Sequence, residues 1–239
     1  MHIVSQVIGL SFAVFLAGCA TLGQPMFEVD VDALTSPEGQ QKRTYVLLPG
    51  NEGVSQEDLQ YQEYAAYLRR ALQSRGFVPA QHAGDADVAI VLSYGIGEPQ
   101  TIQYAYSVPV WGQTGLVASQ TYGTATTYGN SASYTGTTTY QPTYGVTGYV
   151  PQVGTRTQYR RYAVMTAYAA KAPKKNEPQK EYWRTTVTSS GWSGDLREVF
   201  PVMIAAATPY LATSTGKKVP VSLYENDNSV RAVKGQPLE

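Results

Sequence analysis

Thr44-Tyr45-Val46-Leu47-Leu48, closed by Pro49-Gly50, is followed by Tyr61, Tyr64, Ala65, Leu68 and Leu72 at helical spacing up to Gly76. The first stretch reads as a buried strand and the second as an amphipathic helix. Ser55, with Asp58 three residues on, approximates a capping box, and Gly76 suits a C-terminal stop because it accepts left-handed backbone. Phe77-Val78-Pro79 opens a short strand, and Asp87-Val88-Ala89-Ile90-Val91-Leu92-Ser93-Tyr94 is a longer, largely apolar one. The unit is β-α-β-β, and its helix needs a sheet to cover.

A second ordered block supplies more of that sheet. Tyr162 to Tyr168 and Tyr182 to Thr188 read as a hairpin joined by the Lys- and Pro-rich segment Lys171 to Lys180. Leu196, Val199, Phe200, Met203, Ile204, Ala207 and Leu211 fall on one helical stripe started by Ser193 or Asp195, with Pro201 off the stripe on the outer face. Val219 to Tyr224 and Val230 to Val233 read as a closing hairpin around Glu225-Asn226-Asp227-Asn228. The expected fold class is α+β: a mixed β-sheet with two amphipathic helices packed on one face, in a single domain over residues 44–239.

Between the blocks, residues 99–155 form an uncharged insert rich in Tyr, Gly and Thr. Between Glu98 and Arg156 there is no Asp, Glu, Lys, Arg or His. Tyr122, Tyr128, Tyr134 and Tyr140 recur every six residues, which places them on one face of a single extended strand but rotates them around a helix. Thr and Tyr favour strand, and Gly disfavours helix. The insert is expected to form one or two long β-hairpins or a disordered loop that samples them. Its tyrosines either cover a structural ribbon or form a binding face for a glycan or protein partner, with strand-mediated self-association as a third use.

Arg75-Gly76-Phe77, Ala86-Asp87-Val88, Trp183-Arg184-Thr185, Ser189-Ser190-Gly191, Gly194-Asp195-Leu196-Arg197 and Phe200-Pro201 resemble the bacterial lipoprotein family labelled domain of unknown function 4136. The resemblance spans roughly residues 44–97 and 159–233 and brings no catalytic residues with it.

The N-terminus agrees with that resemblance. An apolar run from Ile3 to Leu16 ends in Leu16-Ala17-Gly18-Cys19, which resembles a lipobox, with residues 1–18 as signal peptide and Cys19 as the lipidation site. The run is about 14 residues against the roughly 20 that span a bilayer. Residues 19–43, with Pro25, Pro37 and Gly39, are expected to be a lipidated tether. By that resemblance, Ala20 after the cysteine implies sorting to the outer membrane, with the body in the periplasm or, less often, on the cell surface. The partners expected are the membrane, through this anchor, and an envelope protein or glycan.

Composition narrows the rest. The 18 Lys and Arg balance the 18 Asp and Glu, so no field gathers nucleic acid. Cys19 is the only cysteine, which excludes an intrachain disulfide. Outside the signal peptide His82 is the only histidine, standing in Gln81-His82-Ala83-Gly84-Asp85-Ala86-Asp87. A multi-histidine metal site is impossible, and no metal or cofactor is expected. Gly191-Trp192-Ser193-Gly194-Asp195 fails as a nucleophile elbow at its fifth position, and neither Gly95-Ile96-Gly97 nor Gly216-Lys217-Lys218 completes a nucleotide loop. The expectation is a non-enzymatic outer-membrane lipoprotein acting as accessory, scaffold or binding protein. The alternative is a periplasmic hydrolase or transferase with its site near His82.

Overall fold

A computed structural model describes residues 25–171 and 178–238. Among them the chain forms eight strands and three α-helices in one mixed, open sheet, an α+β fold. Two units are distinguished: the chain up to Pro99 together with that from Gln158 onward, and Gln100–Thr157.

The first unit holds β1 (Met26–Thr35), β2 (Thr44–Pro49), α1 (Leu59–Ser74), β3 (Val78–Pro79) and β4 (Val88–Ile96). After β5 (Gln100–Tyr128) and β6 (Ser131–Ala169) it is completed by β7 (Glu181–Gly191), α2 (Leu196–Ala207), β8 (Val219–Tyr224) and α3 (Asn228–Lys234). The strand order is β3-β2-β4-β6-β7-β1-β8, with β5 paired to β6. Strand β2 runs parallel to β3 and β4, and the pairs from β4 through to β8 are antiparallel. A parallel pair needs a crossover, and α1 supplies it between β2 and β4.

Alternation decides which face is covered. Phe27, Val29, Val31 and Ala33 of β1 are buried, whereas Glu28 and Asp30 between them are exposed. Val88, Ile90, Leu92 and Tyr94 of β4, Ala163, Met165 and Ala167 of β6, and Trp183 and Val187 of β7 join the same core. Tyr64 and Leu68 of α1 and Phe200 and Ile204 of α2 complete it, so the helices lie on one face of the sheet. At its centre the Tyr64 and Phe200 rings stack 4.0 Å apart, and the Tyr94 ring meets Tyr64 edge-on at 4.8 Å. Helix α1 ends as its sequence dictates: Gly76 has φ +78°, its N–H donates to the Gln73 carbonyl and that of Phe77 to Leu72.

Several expectations are corrected. Residues 26–35, expected within the tether, are strand β1, held between β7 and β8. The closing hairpin is absent among the described residues: Val230 and Val233 lie on α3, whose i, i+3 spacing buries both, and Gly235 ends it with φ +73°. Asp58 rather than Ser55 caps α1, its Oδ1 accepting from Tyr61 N–H at 2.9 Å. Of the two residues expected to start α2, Asp195 is the cap, accepting from Arg197 N–H at 2.8 Å. Pro201 is buried, because α2 is enclosed continuously from Val199 to Ala207 and has no outer face there.

The second unit is a ribbon. Strand β5 (29 residues) and the N-terminal part of β6 form one long hairpin turning at Gly129-Asn130, where Gly129 has φ +58°. The bounds Gln100–Thr157 replace the expected 99–155. Nearly every ribbon residue is exposed on both faces.

Candidate functional site

Cys19 lies outside the described residues. Among the features within them, the tyrosine ribbon is the largest surface without a role in the core.

The four periodic tyrosines do not share a face, because the hairpin turn falls between them. Tyr122 and Tyr128 are on β5, and Tyr134 and Tyr140 on β6. A Cβ added at Gly123 would run into the Tyr134 ring, and Thr121 Oγ1 bonds to Thr138 Oγ1 at 2.8 Å. Tyr134 and residue 138 are therefore on the face of positions 121 and 123, opposite Tyr122. The period of six holds along each strand and puts Tyr122 and Tyr128 on one face, Tyr134 and Tyr140 on the other.

Some of these rings are structural. Tyr134 lies over Gly123 and beside Gly136, and Tyr104 lies against Gly154, where an added Cβ would meet the ring at 2.8 Å. Each ring occupies the space that glycine leaves open, which stiffens a glycine-rich strand. Arg156 stands over the Tyr104 ring at 5.5 Å. Tyr128 makes no such substitution: it sits at the hairpin tip and is 93% exposed.

His82 is exposed in the turn before β4, and its carbonyl accepts from Asp85 N–H at 3.0 Å. Asp87 is not available to it. One Asp87 carboxylate oxygen, Oδ2, accepts from Thr44 Oγ1 at 2.7 Å, Thr44 N–H at 3.1 Å and Arg43 N–H at 3.3 Å, and Lys42 Nζ stands 3.6 Å from the other, Oδ1. The Thr44 hydroxyl and backbone bonds hold the Asp87 carboxyl below its ordinary value. Its work is to join the start of β2 to the approach of β4. No group of three His, Cys, Asp or Glu side chains that could hold a metal occurs among the described residues.

A polar cluster that the sequence reading missed sits where β6, β7 and α2 meet. Arg161 is 1% exposed and points to the helix-covered side of the sheet. Its Nη1 donates to the Ser193 carbonyl at 3.3 Å and its Nη2 to Ser189 Oγ at 3.5 Å, while Nε has no hydrogen-bond partner among the described residues. Burial pushes the guanidinium pKa down, and the Glu198 carboxylate opposes that shift. Ser193 Oγ donates to Glu198 at 2.6 Å, and Ser189 Oγ to the Glu28 carbonyl at 2.8 Å. The cluster ties β1, β6, β7 and α2 together. Its sequence signal is Gly191, since a Cβ there would lie 2.5 Å from Arg161 Nη2.

On the opposite face, Glu28, Asp30, Arg160, Ser190, Lys218 and Ser222 line a polar groove of about 410 Å³ across β7, β1 and β8. It holds both signs of charge beside the β8 edge of the sheet.

These features define an α+β domain of open mixed sheet carrying an aromatic ribbon that is uncharged apart from Arg156. The chain matches no family model, and no curated protein is recognisably similar to it. Among the solved structures similar to the chain, two have a TM-score of 0.35. One is a DUF4136 family protein from Bacteroides thetaiotaomicron VPI-5482, 14% identical, with 77% of this chain and 96% of that one covered. The other is a PDZ domain protein from Parabacteroides distasonis ATCC 8503, 13% identical, with 84% of this chain covered but only 40% of that one.

Proposed function

We propose that the protein is a non-enzymatic lipoprotein of the bacterial envelope, of the type labelled domain of unknown function 4136. In this reading it is anchored through Cys19 in the outer membrane, faces the periplasm, and acts as an accessory, scaffold or binding protein. The observation that carries the reading is the ribbon: a compact, well-packed unit bears a long neutral hairpin whose exposed tyrosines serve no core. Tyrosine offers apolar area and a hydroxyl at small entropic cost, which suits a protein or glycan partner.

The motifs that carry the family resemblance support a non-catalytic reading, because the residues that act in them hold the fold. Gly76 ends α1, Asp87 joins β2 to β4, Trp183 packs edge-on to Phe77 at 6.1 Å, Asp195 caps α2, and Phe200 stacks on Tyr64.

Four measurements test the proposal. Mass spectrometry of protein extracted from native membranes should find S-diacylglyceryl cysteine at residue 19. Unchanged membrane retention of Cys19→Ser overturns the anchor. Crosslinking in cells should capture an envelope partner through the ribbon, and His82→Ala should rescue any deletion phenotype as fully as wild type does. A loss of function in His82→Ala, with folding intact, would favour a hydrolase or transferase instead.

A further inference from the structure

The edges of the ribbon, as distinct from its faces, carry an asymmetry that points to a second copy of this chain. Among the described strands β5 pairs with β6 alone, so its other edge presents backbone N–H and C=O groups without a strand partner. Proteins protect such edges with charge, proline or a covering element. Here charge is absent from the whole of β5. Proline must put its nitrogen on the outer edge of a two-stranded ribbon, since it cannot donate inward. Pro142 therefore interrupts the outer edge of β6, and Pro109 does the same near the start of β5. Beyond it, Val110–Tyr128 has neither proline nor charge and is rich in Thr, Val, Tyr and other strand formers. It is the longest uninterrupted edge in the ribbon.

We propose that two copies of the chain pair edge to edge through Val110–Tyr128 of β5, antiparallel about a two-fold axis near Ser119, giving a four-stranded β6-β5-β5-β6 sheet. Two strands alone are marginal in water, and four are not. Electroneutrality removes the repulsion that two like-charged edges would meet. The outer strands of the assembly are then the β6 edges interrupted by Pro142, so the contact is isologous and growth stops at two. Pairing uses the backbone edge and leaves the tyrosine faces open, so this inference stands independently of the anchor and of any partner on those faces.

The test uses the full-length chain in detergent, with sedimentation equilibrium as the readout. Wild type should show twice the protein mass of one chain. Adjacent residues of a strand direct their backbone groups to opposite edges, so one of Ala118→Pro and Ser119→Pro necessarily strikes the outer edge. At least one of the two should be monomeric while thermal unfolding of the compact unit is unchanged. Leu116→Lys with Val117→Lys keeps every backbone donor and sets positive charges along the two-fold contact. This variant should lose the doubled mass at low salt and recover part of it at high salt. A monomeric wild type, a dimer that survives both prolines and the lysine pair, or growth beyond two chains would overturn the proposal.

Discussion

Strand β6 passes through two kinds of environment, and the contrast separates what makes a strand from what makes a fold. In Tyr162–Ala169 it alternates strictly enough to bury Ala163, Met165 and Ala167 against the helices, with β4 on one side and β7 on the other. From Ser131 to about Thr157 the same strand is exposed on both faces and pairs with β5 alone. Hydrogen bonding and β propensity are common to both stretches; burial is not. The compact unit should therefore hold nearly all of the stability, and the ribbon nearly none.

The largest effect expected is in the aromatic centre. Phe200→Ala removes the ring that stacks on Tyr64 and meets Tyr94 edge-on, and should cost about 3 to 5 kcal/mol in chemical denaturation. Tyr128→Ala, the same class of truncation at the ribbon tip, should stay within about 0.5 kcal/mol. Equal losses at the two sites would erase the distinction between the units.

Next is Gly191→Ala. The added methyl would press on Arg161 Nη2, which is buried and held by Ser193 and Ser189, so the guanidinium has little room to yield. Overpacking of this kind should cost about 1 to 3 kcal/mol. A neutral result would show that the arginine cluster is loose and does not tie α2 to the sheet.

Asp87→Asn should be smaller, about 1 kcal/mol at neutral pH, because the carboxylate is more than a third exposed and the amide oxygen still accepts from Thr44. The sign of its pH dependence is fixed. The folded carboxyl is held below its ordinary value of 3.8, so its contribution is full above that value and is lost as pH falls through the lower folded one. The stability gap between wild type and Asp87→Asn should close in that acid window. A gap that persists there would assign the effect to packing.

The same contrast explains what could be read from the sequence. Strands β2, β4, β6 and β7 and helices α1 and α2 announce themselves through period and caps, and with them the α+β class. Strand β1 was legible too: Phe27-Glu28-Val29-Asp30-Val31-Asp32-Ala33 alternates at every step, but the polar average and the flanking prolines suggest a tether. Helix α3 reads as strand because Val230 and Val233 are β-branched, and only the i, i+3 burial reveals its period. Pro201 looks like an outer-face residue on a stripe diagram, whereas tertiary packing encloses α2 on every side. The ribbon shows the limit most clearly. A spacing of six fixes the tyrosine face along one strand, and the position of the turn, which that spacing does not contain, divides the four rings between two faces. Arg161 itself reads as an ordinary surface charge, and Gly191 is the one trace of its burial, which depends on elements distant in sequence.

The smallest effect expected is from removing the ribbon itself. Ile96 pairs with Arg161, and Gly97 N–H donates to the Arg160 carbonyl at 2.8 Å, so the two ends of the insert are already neighbours in an antiparallel pair. Replacing Gln100–Thr157 by a short Asn-Gly turn should close β4 onto β6 as an ordinary hairpin. Loop closure changes slowly with length, and a shorter connection is if anything slightly favourable. Cooperative unfolding should persist, with a change within about 0.5 kcal/mol, the range of surface substitutions. The deletion variant should also be monomeric and should lose any partner captured through the tyrosines, since the edge and both faces leave together. If it fails to fold, the ribbon belongs to the stabilising part of the molecule, and exposure in β5 and β6 has been misread as independence.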